Sequence, residues 1–255
     1  MNLVDAQVVS NQPAFPGANL MWLHSTELAQ TAQPGQFVML RCSATWDPLL
    51  RRALSIHRIQ PQSGNVALLY GGGGAGTEFL RRRLTGDTVN VLGPLGNGYT
   101  THPATRNLLL IGVSWGLSPL IALAEQAVNA DRAVTLLAGA PTAAHVVPGE
   151  LVPPQVELAV ATEDGSLGAK GLVTELAGQY WGWADEVYAC GPMALYKGLA
   201  EATATLWPRK TVQVLADMPM ACGVGACFAC TLETRRGLVV TCREGPAVLL
   251  RDLLF

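Results

Sequence analysis

The sequence predicts a multidomain β and α/β protein, in which an antiparallel β-barrel is followed by a parallel α/β domain and a small cysteine-rich lobe. Three observations carry this expectation. Short β-like runs fill the first hundred or so residues, apolar runs alternate with helical stretches from about Asn107, and four of the six cysteines lie between Cys222 and Cys242. A chain of 255 residues is long enough to bury more than one core, and the changes of pattern place boundaries at 1–101, 102–210 and 211–255.

In the barrel region the runs are Leu3 to Val9, Asn19 to His24, Gln36 to Cys42, Ala53 to Ile59 and Val66 to Tyr70. Turn-rich segments such as NQPAFPG and QPQSGN separate them. One stretch departs from this rhythm: GTEFLRRRL, Gly76 to Leu84, follows a glycine-rich turn and reads as a short helix whose N-terminal donors suit a phosphate. Upstream, Arg52 precedes a strand-like LSI, where an arginine can pair with a flavin pyrophosphate while the strand backbone lines the ring. Solvated charge at a strand start is the competing reading for Arg51 and Arg52. Gly76 and Thr77 add backbone donors and a hydroxyl further along the chain. His57, after that strand, reads as an ordinary polar residue of the alternating face.

From Asn107 the segments NLLLIGVS, SPLIALAEQAV, AVTLLAGA, VELAVAT and EVYACGP describe a Rossmann-like parallel domain. Ser118 followed by Pro119 reads as its first helix start. The turn Gly112-Val113-Ser114-Trp115-Gly116 stands where a dinucleotide would bind, although it is no GxGxxG match and a plain strand-to-helix turn fits equally. Ala189 to Met193 falls at the carboxyl edge of a later strand, where ligands of such sheets gather and where a nicotinamide would approach a flavin.

The tail reads MACGVGACFACTLETRRGLVVTCREG, with Cys222-x4-Cys227-x2-Cys230 and then Cys242 beyond a hairpin. This is the plant-type spacing for a [2Fe–2S] cluster. A tight loop must wrap the cluster with backbone N–H groups aimed at sulfur, and Gly223 and Gly225 allow that approach. Four thiolates also suit structural zinc, but zinc ribbons pair two CxxC motifs and only Cys227-x2-Cys230 is present. Cys42 reads as a core residue and Cys190 needs no metal role.

Composition excludes several partners. With 17 basic and 19 acidic residues the net charge is −2, which gives no positive field for nucleic acid or an anionic membrane. No secretory-type N-terminus and no membrane-length apolar run occur, so a cytoplasmic protein is expected. Hydrophobic residues make up 49% and charged residues 14%, leaving apolar surface for a permanent partner.

Taken in order, RRALSI (51–56), GTEFL (76–80), VLGPLGNGY (91–99), EDGSLGAKGLVT (163–174), YACGPM (188–193) and MACGVGACFAC with Cys242 resemble the electron-transfer subunits of class 1B dihydroorotate dehydrogenases, within the ferredoxin–NADP⁺ reductase superfamily. The resemblance implies an FAD-binding barrel contacting Arg52, Ala53, Leu54, Ser55, Leu69, Tyr70, Gly71, Gly76 and Thr77. It also implies an NAD-binding α/β domain and a [2Fe–2S] lobe with Cys222, Cys227, Cys230 and Cys242 as ligands. The implied partner is a catalytic FMN-containing dehydrogenase subunit in a hetero-oligomer serving pyrimidine biosynthesis, with electrons passing through cluster and FAD to NAD. This oxidoreductase chain would then need no catalytic acid–base pair of its own. Superfamily modules are reused, so another redox complex such as a hydrogenase or a ferredoxin-linked NAD(P) reductase, or a non-catalytic metal-binding partner protein, stands as the alternative. The chain departs from the family at Ala53, in place of proline, at Ala229, in place of glycine, and at GVSWG, in place of a glycine run. Trp115 is placed to shield a flavin or to fill the nucleotide cleft.

Overall fold

A computed structural model describes residues 1–205 and 210–255. The barrel is built from β1 (Asn2–Phe15), β2 (Ala18–His24), a short helix α1 (Thr26–Thr31), β3 (Phe37–Leu40), β4 (Arg52–Gln60), β5 (Asn65–Gly71), helix α2 (Ala75–Arg81) and β6 (Thr88–Leu95). Its strands close in the order β1-β2-β5-β4-β3-β6, and every pair is antiparallel. Closure leaves no exposed edge, and inward side chains such as Ala6, Val8, Met21, Leu23, Ile56 and Leu68 fill the interior. Two elements have no counterpart in the sequence expectations. The six-residue α1 is too short for a helical period and is held by Ser25, whose hydroxyl accepts from Leu28 N–H at 3.4 Å. In β6, Val89, Val91, Gly93 and Leu95 alternate inward, but glycine and proline interrupt the apolar signal.

The second domain contains β7 (Asn107–Val113), α3 (Leu117–Asn129), β8 (Ala133–Ala140), β9 (Glu157–Thr162), β10 (Ala169–Lys170), α4 (Val173–Trp181), β11 (Glu186–Cys190), α5 (Met193–Thr205) and β12 (Thr211–Leu215). The lobe that follows has the hairpin β13 (Thr231–Thr234) and β14 (Gly237–Val240), the single turn α6 (Thr241–Glu244) and β15 (Ala247–Leu249). The large sheet runs β10-β9-β8-β7-β11-β12-β15, parallel throughout except where β15 meets β12. Separate apolar cores cover its two faces, which explains why β7, β8 and β11 read as continuous apolar runs. Two strands of the 211–255 segment therefore lie in this sheet: β12 carries the buried run VQVL, and β15 returns to pair with it after the cysteine loop.

The domains meet where β4 crosses α3. His57 stands on the outer face of β4, opposite the inward Ile56, but α3 covers that face and buries it fully, and the register shift between Ile56 and Arg58 turns Arg58 to the same side. Its Nδ1 donates to the Ser118 carbonyl at 3.0 Å. Beside it, Arg58 Nε lies 3.4 Å from Glu125 Oε1 and Nη2 donates to the Leu151 carbonyl at 2.7 Å. The expected serine cap of α3 is corrected: the helix starts at Leu117 with Gly116 at the cap position, and Ser118 sits in the first turn with its hydroxyl buried and unpartnered. A one-turn 3₁₀ segment, Ser114–Gly116, has already begun the coil and moved the start forward. Among the described residues no helix is long and apolar enough to cross a membrane.

Candidate functional site

A cleft of about 700 Å³ opens between the barrel and the sheet. The barrel wall is formed by Ala53, Leu54 and Ser55 of β4 with Leu69, Tyr70 and Gly71 of β5, six of the nine residues expected to contact a flavin. Strand alternation divides their roles. The Tyr70 ring points into the barrel core, where its hydroxyl donates to Asn11 Oδ1 at 3.1 Å and burial raises its pKa to about 12, so this residue gives the cleft its backbone. The other three expected residues meet just beyond the wall. A Cβ at Gly76 would lie 2.7 Å from Arg52 Nε and 2.9 Å from its Cζ, so the guanidinium packs closely against this glycine. Thr77 Oγ1 is within reach of the Gly72 and Gly74 carbonyls, at 3.2 and 2.9 Å.

The two neighbouring arginines have different tasks. Arg51 is spent on the outer side of the barrel strands, where Nη1 donates to the Met39 and Asn90 carbonyls at 3.2 and 3.1 Å and Nη2 donates to Asn90 Oδ1. Arg52 makes only short-range bonds, to the Leu50 carbonyl at 2.7 Å and the Arg51 carbonyl at 3.4 Å, and keeps donors for an anion.

Opposite, the cleft is walled by Val113 to Gly116, by Cys190 to Met193, and by Leu215 to Met218 with Met220. The Cys190-Gly191-Pro192 turn is pinned through Tyr196, whose hydroxyl donates to the Leu215 carbonyl at 2.6 Å and accepts from Gly191 N–H at 3.1 Å. Burial pushes the Cys190 thiol up to about 12, which keeps it a neutral wall residue.

Beyond that wall lies the cysteine loop. Gly223 and Gly225 take left-handed conformations, φ 74 and 81, and Phe228 rather than Ala229 takes the third, φ 57. At Gly223 a Cβ would meet Met39 Cγ at 2.7 Å, so both backbone angle and space exclude a side chain. The resulting turns aim N–H groups at sulfur: Val224 and Ala226 at Cys222 Sγ, both 3.4 Å, Gly225 at Cys242 Sγ, 3.1 Å, and Cys242 at Cys230 Sγ, 3.4 Å. Burial works against ionisation of Cys222, but donation from Val224, Cys227 and Ala226 outweighs it and brings the thiol down to about 6. Cys230 is lowered too, against its burial, by Cys242, whereas burial and the shared hydrogen bond with Cys230 raise Cys242 to about 12. Among the thiols, Cys227 helps to lower Cys222, and Cys242 helps to lower Cys230, which groups the four as two pairs. Two pairs suit a two-iron cluster with two thiolates on each iron.

Phe37, Met218 and Met220 belong to both places: they line the cleft and pack with Cys230 and Cys242 in one small apolar core. Sequence reasoning did not find them, because only tertiary packing brings the barrel's Phe37 against the two methionines.

Residues 218–254 match the family described as the iron–sulfur cluster binding domain of dihydroorotate dehydrogenase B. Over the whole chain, the electron transfer subunit of dihydroorotate dehydrogenase B (NAD(+)) from Desulforamulus reducens is 35% identical across 95% of this chain and 94% of its own length. The chain belongs to this family of electron-transfer subunits. A second family relative, from Geobacillus kaustophilus, is 39% identical over 84% of each chain. Among solved structures, a chain of an NADH-dependent reduced ferredoxin–NADP oxidoreductase, described in terms of flavin-based electron bifurcation, superposes with TM-score 0.87 at 25% identity over 98% of this chain and 90% of that one. A ferredoxin–NADP⁺ reductase from Neisseria gonorrhoeae superposes with TM-score 0.66 at 14% identity over 80% of this chain and 91% of that one, a likeness of fold. The barrel, parallel sheet and cysteine lobe of the subunit family are the architecture that its sequence predicts.

Proposed function

We propose that this chain carries electrons between NAD and a catalytic FMN-containing dehydrogenase subunit, with FAD held along β4 and β5 and a [2Fe–2S] cluster held by Cys222, Cys227, Cys230 and Cys242. The observation that carries the reading is the single side-chain layer of Phe37, Met218 and Met220 between the cleft and the cysteine pairs. The residues fit both groups: left-handed glycines and aimed N–H groups surround the thiols, and an extended backbone lines the cleft with an underused arginine just beyond it.

When bound, a flavin takes up a hydride as an electron pair and passes electrons on singly, which matches a nicotinamide on one side and an iron–sulfur centre on the other. The chain's residues supply position and environment. Arg52 and the glycine-rich turn at Gly71–Gly74 offer charge and backbone donors to a pyrophosphate. Ser55, Leu69 and the backbone of Leu54, Tyr70 and Gly71 wall an aromatic ring, while Phe37 and the methionines keep the passage to the thiols dry. N–H groups of Val224, Gly225, Ala226 and Cys242 stabilise thiolate charge and so tune the cluster. No acid–base pair is needed for this work.

The test is the visible spectrum and iron content of purified protein before and after NADH: flavin and iron–sulfur absorption with NADH bleaching of the flavin is expected, and a colourless, iron-free protein contradicts the reading. The solved oxidoreductase that superposes at TM-score 0.87 favours a second reading, the same module in a different redox complex. Copurification from native cells separates the two, since the first requires a dihydroorotate-oxidising subunit.

A further inference from the structure

The turn from Gly112 to Gly116 stands where the reading above brings a nicotinamide dinucleotide, yet its glycines do not open toward the cleft. A Cβ at Gly112 would lie 2.8 Å from Leu117 Cγ, and one at Gly116 would lie 2.0 Å from the Cys190 carbonyl oxygen. Both glycines serve the domain's own packing. Every residue between them carries a side chain: Val113 packs against the core, Ser114 is held at φ 50, and Trp115 stays 40% exposed in the cleft wall.

The buried part of Trp115 is held by the barrel. Its indole stacks on Phe15, with ring centroids 5.2 Å apart and planes inclined by 22°. It also takes the space of a side chain at Gly71, where a Cβ would lie 2.5 Å from Cζ2 and 2.6 Å from Cη2. Phe15 and Gly71 end barrel strands β1 and β5, whereas Trp115 follows β7 of the sheet. The indole therefore bridges the two domains at the cleft. A dinucleotide pyrophosphate needs close approach to the backbone of such a turn, and bulk there opposes it.

We propose that Trp115 is a latch that sets nucleotide affinity: it must leave Phe15 and Gly71 before NAD can lie on the 112–116 turn. The proposal rests on the NAD-linked reading. It makes the nucleotide step a competition between the indole's contacts with the barrel and the ligand's contacts with the turn, so weakening the latch tightens binding.

The experiment is calorimetric titration of the FAD- and cluster-loaded protein with NAD⁺, accompanied by tryptophan emission and by NADH reduction of the flavin. Trp115→Val removes the indole, and Phe15→Leu removes the stack while leaving the turn intact. The expected result is NAD⁺ binding tightened at least about tenfold by Trp115→Val and about threefold by Phe15→Leu. An emission change on NAD⁺ addition is expected in the wild type and absent from Trp115→Val. Unchanged or weaker binding in cofactor-loaded variants overturns the latch and leaves the NAD link standing. No binding in any form, with NADH unable to bleach the flavin, overturns both. If Trp115→Val does not retain its cofactors, Phe15→Leu decides alone, and unchanged affinity there overturns the proposal.

Discussion

The 112–116 turn walls the cleft and the cysteine loop lies behind that wall, and both are rich in glycine, but they use it in opposite ways. In the loop, left-handed Gly223 and Gly225 turn backbone donors toward sulfur and exclude side chains from the contact. In the turn, Gly112 and Gly116 let strand, helix and the Cys190 carbonyl pack closely, and the intervening Val113, Ser114 and Trp115 cover the outer face. A glycine-rich segment makes a ligand loop only when the space that its glycines free faces the ligand.

The largest expected effect breaks the loop at its ligands. Cys222→Ser and Cys242→Ser should each abolish the iron–sulfur absorption and release iron, while flavin bound in the barrel persists. Retention of two irons per chain in either variant, by metal analysis, would remove that thiol from the ligand set.

Next comes the barrel wall across the cleft from the 112–116 turn. Arg52→Gln removes the charge without emptying the space over Gly76, and FAD affinity should fall about 10–100-fold, the range for one charge-assisted contact. Fluorescence titration of the flavin-free protein reads this directly, and an unchanged Kd would return Arg52 to the role of solvated charge.

A smaller effect separates backbone from thiols. Gly223→Ala keeps all four cysteines but places a methyl in a left-handed position against Met39, at a cost of about 1–3 kcal/mol. The cluster should assemble yet be lost faster on heating or chelation, whereas Gly112→Ala, which strains only packing, should leave cluster lifetime unchanged.

The last effect, read only on acidification, lies at the domain joint. Burial lowers the His57 imidazole from 6.5 to about 4, although the Ser118 carbonyl favours its protonated form. Between those values the unfolded chain binds the proton and the folded chain does not, so stability is fully present above pH 6.5 and declines as pH falls toward 4, by about 3 kcal/mol over the whole window. Urea unfolding at pH 7 and pH 5 should show a larger loss for wild type than for His57→Gln, and equal losses would place the pH dependence elsewhere.

Legibility followed the range of the signal. The cysteine spacing and the apolar runs of β2, β5, β7 and β8 are local patterns and could be read directly. The β15 strand, which leaves the cysteine loop to rejoin the sheet, has no local signature because its partner β12 precedes the whole loop. His57 keeps the outer face of β4 that alternation gives it, and its burial has no local signature because the covering helix α3 lies some sixty residues further along the chain. Arg51 and Arg52 look equivalent in sequence, and only Asn90 and Met39, brought near by barrel closure, distinguish them.

The relay itself is tested most directly by anaerobic addition of NADH to the loaded protein, followed by absorption and electron paramagnetic resonance together. Bleaching of the flavin with appearance of a paramagnetic reduced cluster is the predicted result. A flavin that bleaches while a dithionite-reducible cluster stays oxidised would contradict electron passage across the Phe37, Met218 and Met220 layer.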